Sequence, residues 1–170
     1  MTDKIVFLDR DGTLNVDVPY CPSPSKFKLF PDVGESIKLL NESGFRTILI
    51  TNQSGIARGF FTEADLEQIH NKMRLDLSDF EAKIDDIFYC KCLPGEDCEN
   101  RKPNIGLFIK ASQKYPLDKT KSYMIGDSDS DIEAGNKFGL KTIQMNRDSN
   151  FSGNANFETT SLIDAVRLII

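Results

Sequence analysis

Two carboxylates separated by one residue follow an apolar run near the start of the chain. The run KIVFL ends at Leu8, and the pentapeptide DRDGT (residues 9–13) comes directly after it. A metal-bound carboxylate can attack phosphorus and form an aspartyl-phosphate. A second carboxylate two residues further on can protonate the leaving oxygen and later deprotonate water. The pair Asp9 and Asp11 is therefore suited to phosphoryl transfer.

Three further polar clusters have the composition of a phosphate site. They are the segment 51–55 (TNQSG), Lys102 before a predicted helix, and Asp127 after the fourth apolar run. Asp9 and Asp127 could share a hard divalent cation, and Mg²⁺ prefers oxygen ligands of this kind. The metal and Lys102 would offset the charge of a phosphate, while Thr51 and backbone N–H groups would bind its oxygens. One such cluster is usually made of turn or capping residues, whereas four at one sheet edge indicate phosphate chemistry.

The elements that must position these clusters alternate along the chain between short apolar runs and helical patterns. This alternation predicts right-handed βαβ units and a doubly wound, Rossmann-like parallel sheet of five strands with helices on both faces. In such an α/β sheet, ligands bind beyond the carboxyl ends of the strands, where the polar clusters would meet. The predicted strands are 4–8, 46–51, 84–89, 121–125 and 141–145, and the predicted helices run from Asp32 to Gly44, from Thr62, after Pro103, from Ser128 to Gly139 and from Ser161.

Length and composition set the class of protein. The 170 residues fit a single domain (1–170) with its own core, and 39% are apolar and 28% charged. The excess of 26 acidic over 21 basic residues argues against non-specific binding to nucleic acid or an anionic membrane. No apolar run approaches the ~20 residues of a membrane span, and MTDKIVFLDRDG lacks the layout of a signal peptide. We therefore expect a cytoplasmic protein with reduced thiols; nothing in the sequence fixes the number of subunits.

The four clusters together resemble the four motifs of the haloacid dehalogenase superfamily, in the same order. The matching residues are Asp9-x-Asp11-Gly12-Thr13, Thr51, Lys102 and Gly126-Asp127-x-x-x-Asp131. More narrowly, DRDGTLNVDVPY, TNQSGIARGFFTEADLE, CENRKP and YMIGDSDSDIEAG are similar to the bacterial D,D-heptose 1,7-bisphosphate phosphatases and the histidinol-phosphate phosphatases. The resemblance covers about residues 4 to 145. It implies a Mg²⁺-dependent phosphomonoesterase that acts through an aspartyl-phosphate.

The resemblance also implies a role for each matched residue. Asp9 is the expected nucleophile, and Asp11 is the expected acid and base. Thr51 and Lys102 are expected to steady the phosphoryl group, and Asp131 to orient Lys102 or a metal-bound water. The expected Mg²⁺ ligands are Asp9, Asp11 and Asp127, and the expected substrate contacts are Arg101, the segment Asp17 to Tyr20 and the segment Asn52, Gln53 and Ser54.

The spans between the motifs leave no room for the large cap domain that superfamily members usually carry. Loops, helices and strands already fill the chain from Asp9 to Thr51 and from Thr51 to Lys102. Residues 54–59 (SGIARG) are similar to the heptose bisphosphatases, whereas the histidinol phosphatases tend towards Asp-Gly-Leu there. A heptose bisphosphate is therefore favoured over histidinol phosphate or another small phosphorylated sugar or amino alcohol. The loops left to shape the site are 15–30, 55–61 and 90–101.

Two non-enzymatic alternatives belong to other functional classes. A signalling receiver domain would carry its phosphorylated aspartate after the third strand, where this sequence has Tyr89 and Cys90. A non-catalytic relative that only binds phosphosugars is disfavoured because Asp9 and Asp11 are both present. Turnover of p-nitrophenyl phosphate with Mg²⁺ would separate an enzyme from either alternative.

The loop before Lys102 contains three cysteines at metal-ligand spacing. In a compartment that keeps thiols reduced, such clusters more often bind metal than pair. The resembled family has Cys-x-His and Cys-x-Cys in this loop and holds a structural zinc there. The three cysteines are Cys90, Cys92 and Cys98 of CKCLPGEDCENRKP.

The fourth ligand position of that zinc site holds Asn100. A neutral amide oxygen is a weak Zn²⁺ ligand, whereas three thiolates can still hold the ion. Water or a nearby carboxylate, Asp97 or Glu99, would complete the tetrahedron. We predict a weakened structural zinc site, distinct from the Mg²⁺ site, that places Arg101 and Lys102 at the phosphate. Free thiols left after loss of the site are the alternative.

Two remaining features receive no catalytic role from the sequence. His70, the only histidine, lies at helical spacing from Leu66 and Met73, which predicts a role at the edge of the core or at the surface. The segment 148–156 (DSNFSGNAN) is the one stretch whose composition indicates loose order.

Overall fold

A parallel β-sheet organises residues 2–170, the part of the chain that this computed structural model describes. Along the sheet the strands lie in the order third, second, first, fourth, fifth, sixth, and every neighbouring pair is parallel. The chain order therefore reverses between the first and fourth strands, which is the switch point of a doubly wound sheet. The strands are β1 (Ile5–Leu8), β2 (Arg46–Asn52), β3 (Asp86–Cys90), β4 (Tyr123–Gly126), β5 (Lys141–Met145) and β6 (Phe157–Thr159).

Five helices cover the two faces of the sheet. The side chains of β1 alternate between the faces, since Val6 and Leu8 pack into one hydrophobic cluster and Ile5 and Phe7 into the other. The first cluster includes residues of α1, α2 and α5, and the second includes residues of α3 and α4. Both clusters contain fully buried apolar side chains, as a parallel sheet requires. The helices are α1 (Val33–Glu42), α2 (Glu63–Ser78), α3 (Gly106–Lys114), α4 (Asp129–Phe138) and α5 (Leu162–Arg167).

Most helices begin at the residues that the sequence predicted as caps. Thr62 and Asp65 form a reciprocal capping box at the start of α2, and Ser128 and Asp131 form one at α4. Ser161 accepts a hydrogen bond from the backbone N–H of Asp164 at the start of α5. These caps satisfy backbone N–H groups that have no partner within the helix.

The predicted number of five strands is wrong by one, because β6 extends the sheet beyond β5. Its three residues are exposed or only half-buried, so they form no apolar run that periodicity could detect. The strand pairs with β5 through Ile143 and Phe157 and through Met145 and Thr159. The preceding segment 148–156 contains no helix or strand.

The connections that carry a cap domain in larger relatives of this fold are short here. Within residues 2–170, the connection from β1 to β2 contains one 3-10 turn and α1, and that from β2 to β3 contains α2. The expectation of a sheet domain without a large cap is therefore met. The helices of the described chain all fall short of the length and apolar character of a membrane span.

Candidate active site

The carboxyl ends of the central strands bring the predicted motifs together. β1 and β4 are neighbours, so Asp9 and Asp127, which follow them directly, lie side by side. The backbone N–H of Asp9 donates to the carbonyl oxygen of Ile125 at 3.0 Å, which continues the pairing of the two strands. Thr51 lies in the neighbouring strand β2. The site thus stands at the switch point of the sheet.

Lys102 occupies the buried centre of the site. Its side chain is 2% exposed, and Nζ donates to Asp9 Oδ1 at 2.7 Å, to Asp131 Oδ1 at 2.6 Å and to the Ile50 carbonyl at 2.7 Å. All three N–H groups of the ammonium therefore have acceptors. Burial alone would lower the pKa of Lys102, but the charges of Asp131 and Asp9 raise it, so the side chain stays charged. The expectation that Asp131 orients Lys102 is met by this contact.

A group of three carboxylates provides oxygen ligands suited to a hard cation. Asp9, Asp127 and Asp131 offer oxygen atoms that all lie within 4.8 Å of one another. Burial and the charge of Asp131 raise the pKa of Asp9 well above its usual value and that of Asp127 to about 6. One lysine against three carboxylates leaves a buried excess of negative charge. A divalent cation such as Mg²⁺ fits this donor set in both ligand type and charge.

Two glycines let these carboxylates approach the backbone closely. Gly12 has φ 80°, and a Cβ atom built on it would lie 2.3 Å from Asp127 Oδ2. A Cβ atom on Gly126 would lie 2.4 Å from the Cβ of Asp131. A larger residue at either position would displace a carboxylate, because such distances are far below van der Waals contact. The glycines of the first and fourth motifs therefore shape the carboxylate group.

The carboxylate of Asp11 lies outside this group and faces a separate set of donors. Arg10 Nη2 lies 2.8 Å and 3.0 Å from its two oxygens, Asn15 Nδ2 lies 3.0 Å from Oδ1, and Gln53 Nε2 lies 2.9 Å from Oδ2. Burial would raise the pKa of Asp11, but the charge of Arg10 and these hydrogen bonds outweigh burial and lower it. The expected ligand group thus differs in one member, since the carboxylate of Asp131 accompanies Asp9 and Asp127 and that of Asp11 does not.

The segment 51–53 at the end of β2 forms hydrogen bonds with residues of the other motifs. Thr51 is 1% exposed, and its Oγ1 accepts from Gln53 Nε2 at 3.0 Å. The Asn52 side chain brackets the backbone of Lys102, donating to its carbonyl and accepting from its N–H, both at 3.1 Å. Asn52 and Gln53, which the sequence assigned to the substrate, therefore position Lys102 and Asp11.

A cavity of about 330 Å³ opens directly beside the carboxylates. Asp17, which the sequence predicted as a substrate contact, lies in its wall, and burial together with the charge of Asp11 raises the pKa of Asp17. The loop after β5 closes another side, through residues that the sequence analysis missed because they belong to no motif. The lining residues are Gly12, Asp17, Phe30, Asp127, Asn146, Arg147 and Asp148.

An aromatic pair joins the loop after β1 to the loop after β2. Tyr20 is 44% exposed and adopts φ 51°, and its ring centre lies 4.8 Å from that of Phe60. The guanidinium of Arg58 lies 5.5 Å from the Tyr20 ring centre. Ser54 is half-buried at the base of the same loop, and its carbonyl accepts from the N–H of Arg58.

Arg101 connects the phosphate site to the cysteine loop. Its Nη1 donates to the carbonyl of Cys92 at 3.0 Å, and its backbone N–H donates to the carbonyl of Cys98 at 3.3 Å. The position of the loop therefore sets the positions of Arg101 and the adjacent Lys102.

The three cysteine sulfurs converge, as the spacing predicted. The Sγ atoms of Cys90, Cys92 and Cys98 lie within 4.8 Å of one another, and that of Cys90 is 3.5 Å from that of Cys98. In this structure Cys92 and Cys98 form a disulfide, and Cys90 is a buried free thiol. The same three sulfurs can therefore serve as a disulfide with one thiol or, when reduced, as three metal ligands.

The fourth ligand expected from a carboxylate is not supplied in this arrangement. Within the described part of the chain, the sulfur group includes neither Asp97 nor Glu99. The side-chain oxygen of Asn100 lies at the start of α3, only 2.6 Å from where a Cβ of Gly106 would be.

Sequence reasoning missed three buried polar residues around Asp11. Arg10 and Asn15 are both fully buried and both bind its carboxylate. His70 is 1% exposed, so the surface role that the sequence allowed is wrong, and it contacts Arg10. Arg10 was the signal in the sequence that could have revealed these residues. It lies between two motif carboxylates at the end of a buried strand, and a buried charge needs polar partners.

The chain is similar in sequence to a family of hydrolases and to named phosphatases. The sequence pattern of the HAD-hydrolase-like family matches residues 99–164. The D-glycero-beta-D-manno-heptose-1,7-bisphosphate 7-phosphatase of Haemophilus ducreyi is 41% identical over 149 residues, which cover 84% of this chain and 82% of that protein. The protein of the same name from Haemophilus influenzae is 39% identical over 150 residues, covering 85% of this chain and 80% of its own length.

A solved structure extends the similarity to the whole fold. The D,D-heptose 1,7-bisphosphate phosphatase from B. bronchiseptica, complexed with magnesium and phosphate, superposes with a TM-score of 0.88 at 28% identity. The superposition covers 97% of each chain.

Proposed function

Since the chain belongs to the heptose 1,7-bisphosphate 7-phosphatase family of HAD-like hydrolases, we propose that it hydrolyses the 7-phosphate of D-glycero-D-manno-heptose 1,7-bisphosphate. The reaction is Mg²⁺-dependent and proceeds through an aspartyl-phosphate. The observation that carries the proposal is the buried Lys102 held between Asp9 and Asp131 next to Asp127. This arrangement offers a nucleophile, a phosphate-binding cation and a cation site within one cluster.

Asp9 is the proposed nucleophile. Lys102 holds its Oδ1, so the other oxygen is available to attack phosphorus. Asp9 and Asp127, two of the ligands that the sequence predicted, would hold Mg²⁺, whose positive charge would keep the carboxylates ionised and shield the phosphate. Thr51 would bind a phosphate oxygen, and the positive charge of Lys102 would offset the charge of the phosphate while its N–H groups hold Asp9 and Asp131. Both residues are buried, which makes these interactions stronger than they would be in water.

Asp11 is the proposed acid and base. In the first step the bond from Asp9 to phosphorus forms, the bond from phosphorus to the sugar oxygen breaks, and Asp11 gives that oxygen a proton. In the second step Asp11 takes a proton from water, which attacks phosphorus and releases Asp9 and inorganic phosphate. In the free protein the contacts from Arg10, Asn15 and Gln53 lower the pKa of Asp11, so the proton that Asp11 gives in the first step must be taken up as substrate binds, from the singly protonated phosphate group or from solvent.

The sugar is proposed to occupy the cavity beside the carboxylates. Asp17 lies in the cavity wall and offers an acceptor for sugar hydroxyls, and Tyr20 is proposed to offer its exposed ring face to the sugar. Ser54 lies at the base of the second loop, and Arg101 is the proposed contact for anionic oxygen on the substrate. Polar groups of this kind fix the orientation of a ligand in a largely preformed cavity.

A substrate panel tests the proposal. The values of kcat/KM are measured for heptose 1,7-bisphosphate, other sugar phosphates, histidinol phosphate and p-nitrophenyl phosphate, with Mg²⁺ and with a chelator. We expect Mg²⁺-dependent turnover with the highest kcat/KM for the heptose bisphosphate. A higher kcat/KM for histidinol phosphate would make histidinol phosphate the substrate instead of the heptose bisphosphate. If none of the compounds is turned over, the proposal that the protein is an enzyme is overturned.

For the cysteine loop we propose a structural zinc bound when all three thiols are reduced. Three thiolates are good Zn²⁺ ligands, and the convergence of the sulfurs supports their joint use. The Cys92–Cys98 disulfide and the metal are alternatives, because a bonded sulfur is no longer a thiolate ligand. Zinc would hold the loop to which Arg101 is bonded. The proposal requires a compartment that keeps thiols reduced, such as the cytoplasm.

Metal analysis under controlled redox conditions tests this second proposal. Protein purified with a thiol reductant and without chelator should contain close to one zinc per chain. Cys92→Ser should lower that content and raise KM more than it lowers kcat, while Cys21→Ser is the matched control because Cys21 lies outside the sulfur group. Reduced protein without zinc and with full activity would show that the loop needs no metal.

A further inference from the structure

Arg10 is the largest fully buried side chain among residues 2–170, and its charge is directed at Asp11. Nη2 lies 2.8 Å and 3.0 Å from the two carboxylate oxygens, and Nε lies 3.2 Å from Oδ1. A guanidinium that meets a carboxylate through several N–H groups fixes direction as well as charge. The orientation of Arg10 therefore sets the direction in which the carboxylate of Asp11 faces.

Among residues 2–170, the guanidinium has one further hydrogen-bonding partner on a side chain, the imidazole of His70. His70 lies on α2 and is 1% exposed, and its Nε2 is 3.4 Å from Nη1 of Arg10. Arginine can only donate, so Nε2 accepts, and the imidazole is neutral with its proton on Nδ1. In agreement, burial and the charges of Arg10 and Arg74 lower the pKa of His70 to about 3.

Removal of this acceptor would leave a buried N–H of Arg10 without its partner. A buried donor without an acceptor is destabilising, so the guanidinium would turn towards another acceptor. Asn15 and Gln53 each reach Asp11 through a single N–H group, to different oxygens. They would keep the carboxylate bound, but without the planar contact that defines its direction.

We propose that His70 is a positioning residue which, through Arg10, aims the carboxylate of Asp11 at the leaving oxygen of the substrate. The inference rests on the proposed acid role of Asp11. A residue that only fills the core would change the stability of the protein. A residue that aims the acid changes the dependence of the rate on the leaving group.

A leaving-group series separates these two roles. The ratio kcat/KM reports the steps up to release of the leaving group, so it excludes hydrolysis of the aspartyl-phosphate. It is measured for p-nitrophenyl phosphate, phenyl phosphate and an alkyl phosphate such as glucose 6-phosphate. The first needs little protonation of its leaving oxygen, and the last needs the most.

The informative variant is His70→Leu, which keeps a buried apolar side chain but removes the acceptor. We expect its kcat/KM to fall less than about threefold on p-nitrophenyl phosphate and on the order of tenfold or more on the alkyl phosphate, since general acids contribute ~10²–10⁴-fold. His70→Gln, which can accept from Arg10, should recover the alkyl phosphate rate to within about threefold of wild type. His70→Met serves the same purpose if the leucine variant does not fold.

Two further variants make failure of this inference distinguishable from failure of the proposed acid role. Asp11→Asn should show a steeper leaving-group dependence than His70→Leu; if it shows none, Asp11 is not the acid and both ideas fall. If Asp11→Asn shows the dependence and the His70 variants do not, the His70 inference alone is overturned. Met73→Leu, on the same buried face of α2, is the packing control and should show none.

The tautomer of the imidazole provides an independent readout without activity. His70 is the only histidine in the chain, so a tag-free, ¹⁵N-labelled preparation gives one set of imidazole nitrogen signals. At pH 7 we expect a protonated Nδ1 and an unprotonated Nε2. A protonated Nε2 at that pH would exclude acceptance from Arg10 and overturn the proposal.

Discussion

Asp9 directly follows the buried strand β1, and Lys102 holds one oxygen of its carboxylate. Replacement of Asp9 by asparagine tests its role as the nucleophile. The amide keeps the size of the side chain but is a poor nucleophile and a weaker Mg²⁺ ligand. We expect Asp9→Asn to retain less than about one hundredth of the wild-type kcat. Circular dichroism should show an unchanged fold. Greater retained activity in the folded variant contradicts the assignment.

Lys102 balances two buried carboxylates, so its loss should affect stability as well as activity. Lys102→Met keeps the length of the side chain but leaves Asp9 and Asp131 without their shared cation. Removing one partner from a buried ion pair costs about 3–5 kcal/mol, and we expect a loss of that order in urea unfolding. Lys110→Met, at an exposed position of α3, is the matched control. A loss no larger than in the control would mean that the pair contributes nothing to folding.

The sequence predicted which motif residues meet at the site, but it did not predict the direction in which each side chain faces. Asp9, Thr51 and Asp127 meet because parallel strands end at one edge, which alternation alone predicts. The direction of Asp11 depends on Arg10 and on other residues brought near by folding, so no local pattern contains it. The sulfur group was predicted for the opposite reason, since its members are close in sequence.

At the scale of elements, Asp32 joins α1, α5 and the loop after β5. Its carboxylate accepts from Arg147 Nη2 at 2.8 Å and from the backbone N–H groups of Leu162 and Ile163 at 2.8 Å and 3.3 Å. These contacts place Arg147 at the wall of the cavity. Burial would raise the pKa of Asp32, but these donors lower it.

We expect Asp32→Asn to lower the free energy of unfolding by about 2 kcal/mol at pH 7, since a charged hydrogen-bond acceptor is lost. The folded-state pKa of Asp32 is depressed, so its contribution is present above its usual value of 3.8 and is lost as pH falls through the folded-state pKa. The difference between wild type and variant should therefore shrink in acid. Glu35→Gln, an exposed acid in the first turn of α1, controls for the helix dipole. Equal losses in both variants would assign the effect to the dipole alone.

Elements with internal periodicity or capping residues were predicted to within a few residues, and the exceptions have physical causes. The third helix begins at Gly106 and not directly after Pro103, because a turn closed by the N–H of Asn104 and the carbonyl of Arg101 comes first. The strand β6 at the edge of the sheet buries too little to leave an apolar pattern. Both depend on contacts between segments, which periodicity does not report.

At the scale of the whole molecule, the single histidine links the acid stability of the fold to the buried contacts behind the site. His70 faces Arg10, Arg74 and Asp11, and its pKa of about 3 in the folded state compares with 6.5 as its usual value. Below pH 6.5 the unfolded chain therefore binds a proton that the folded chain does not. The contribution of His70 to stability must fall as pH falls through this range.

His70→Gln removes this titration, so the two proteins should diverge in acid. Relative to the variant, wild type should lose about 1.4 kcal/mol of unfolding free energy per pH unit below 6.5, or about 2 kcal/mol by pH 5. Urea unfolding of both proteins at pH 7.5, 6.0 and 5.0 measures the difference, and the carboxylates common to both largely cancel. A difference that stays constant across these three pH values would mean that His70 titrates alike in the folded and unfolded chains. It would then have to be open to solvent, in conflict with its burial against Arg10.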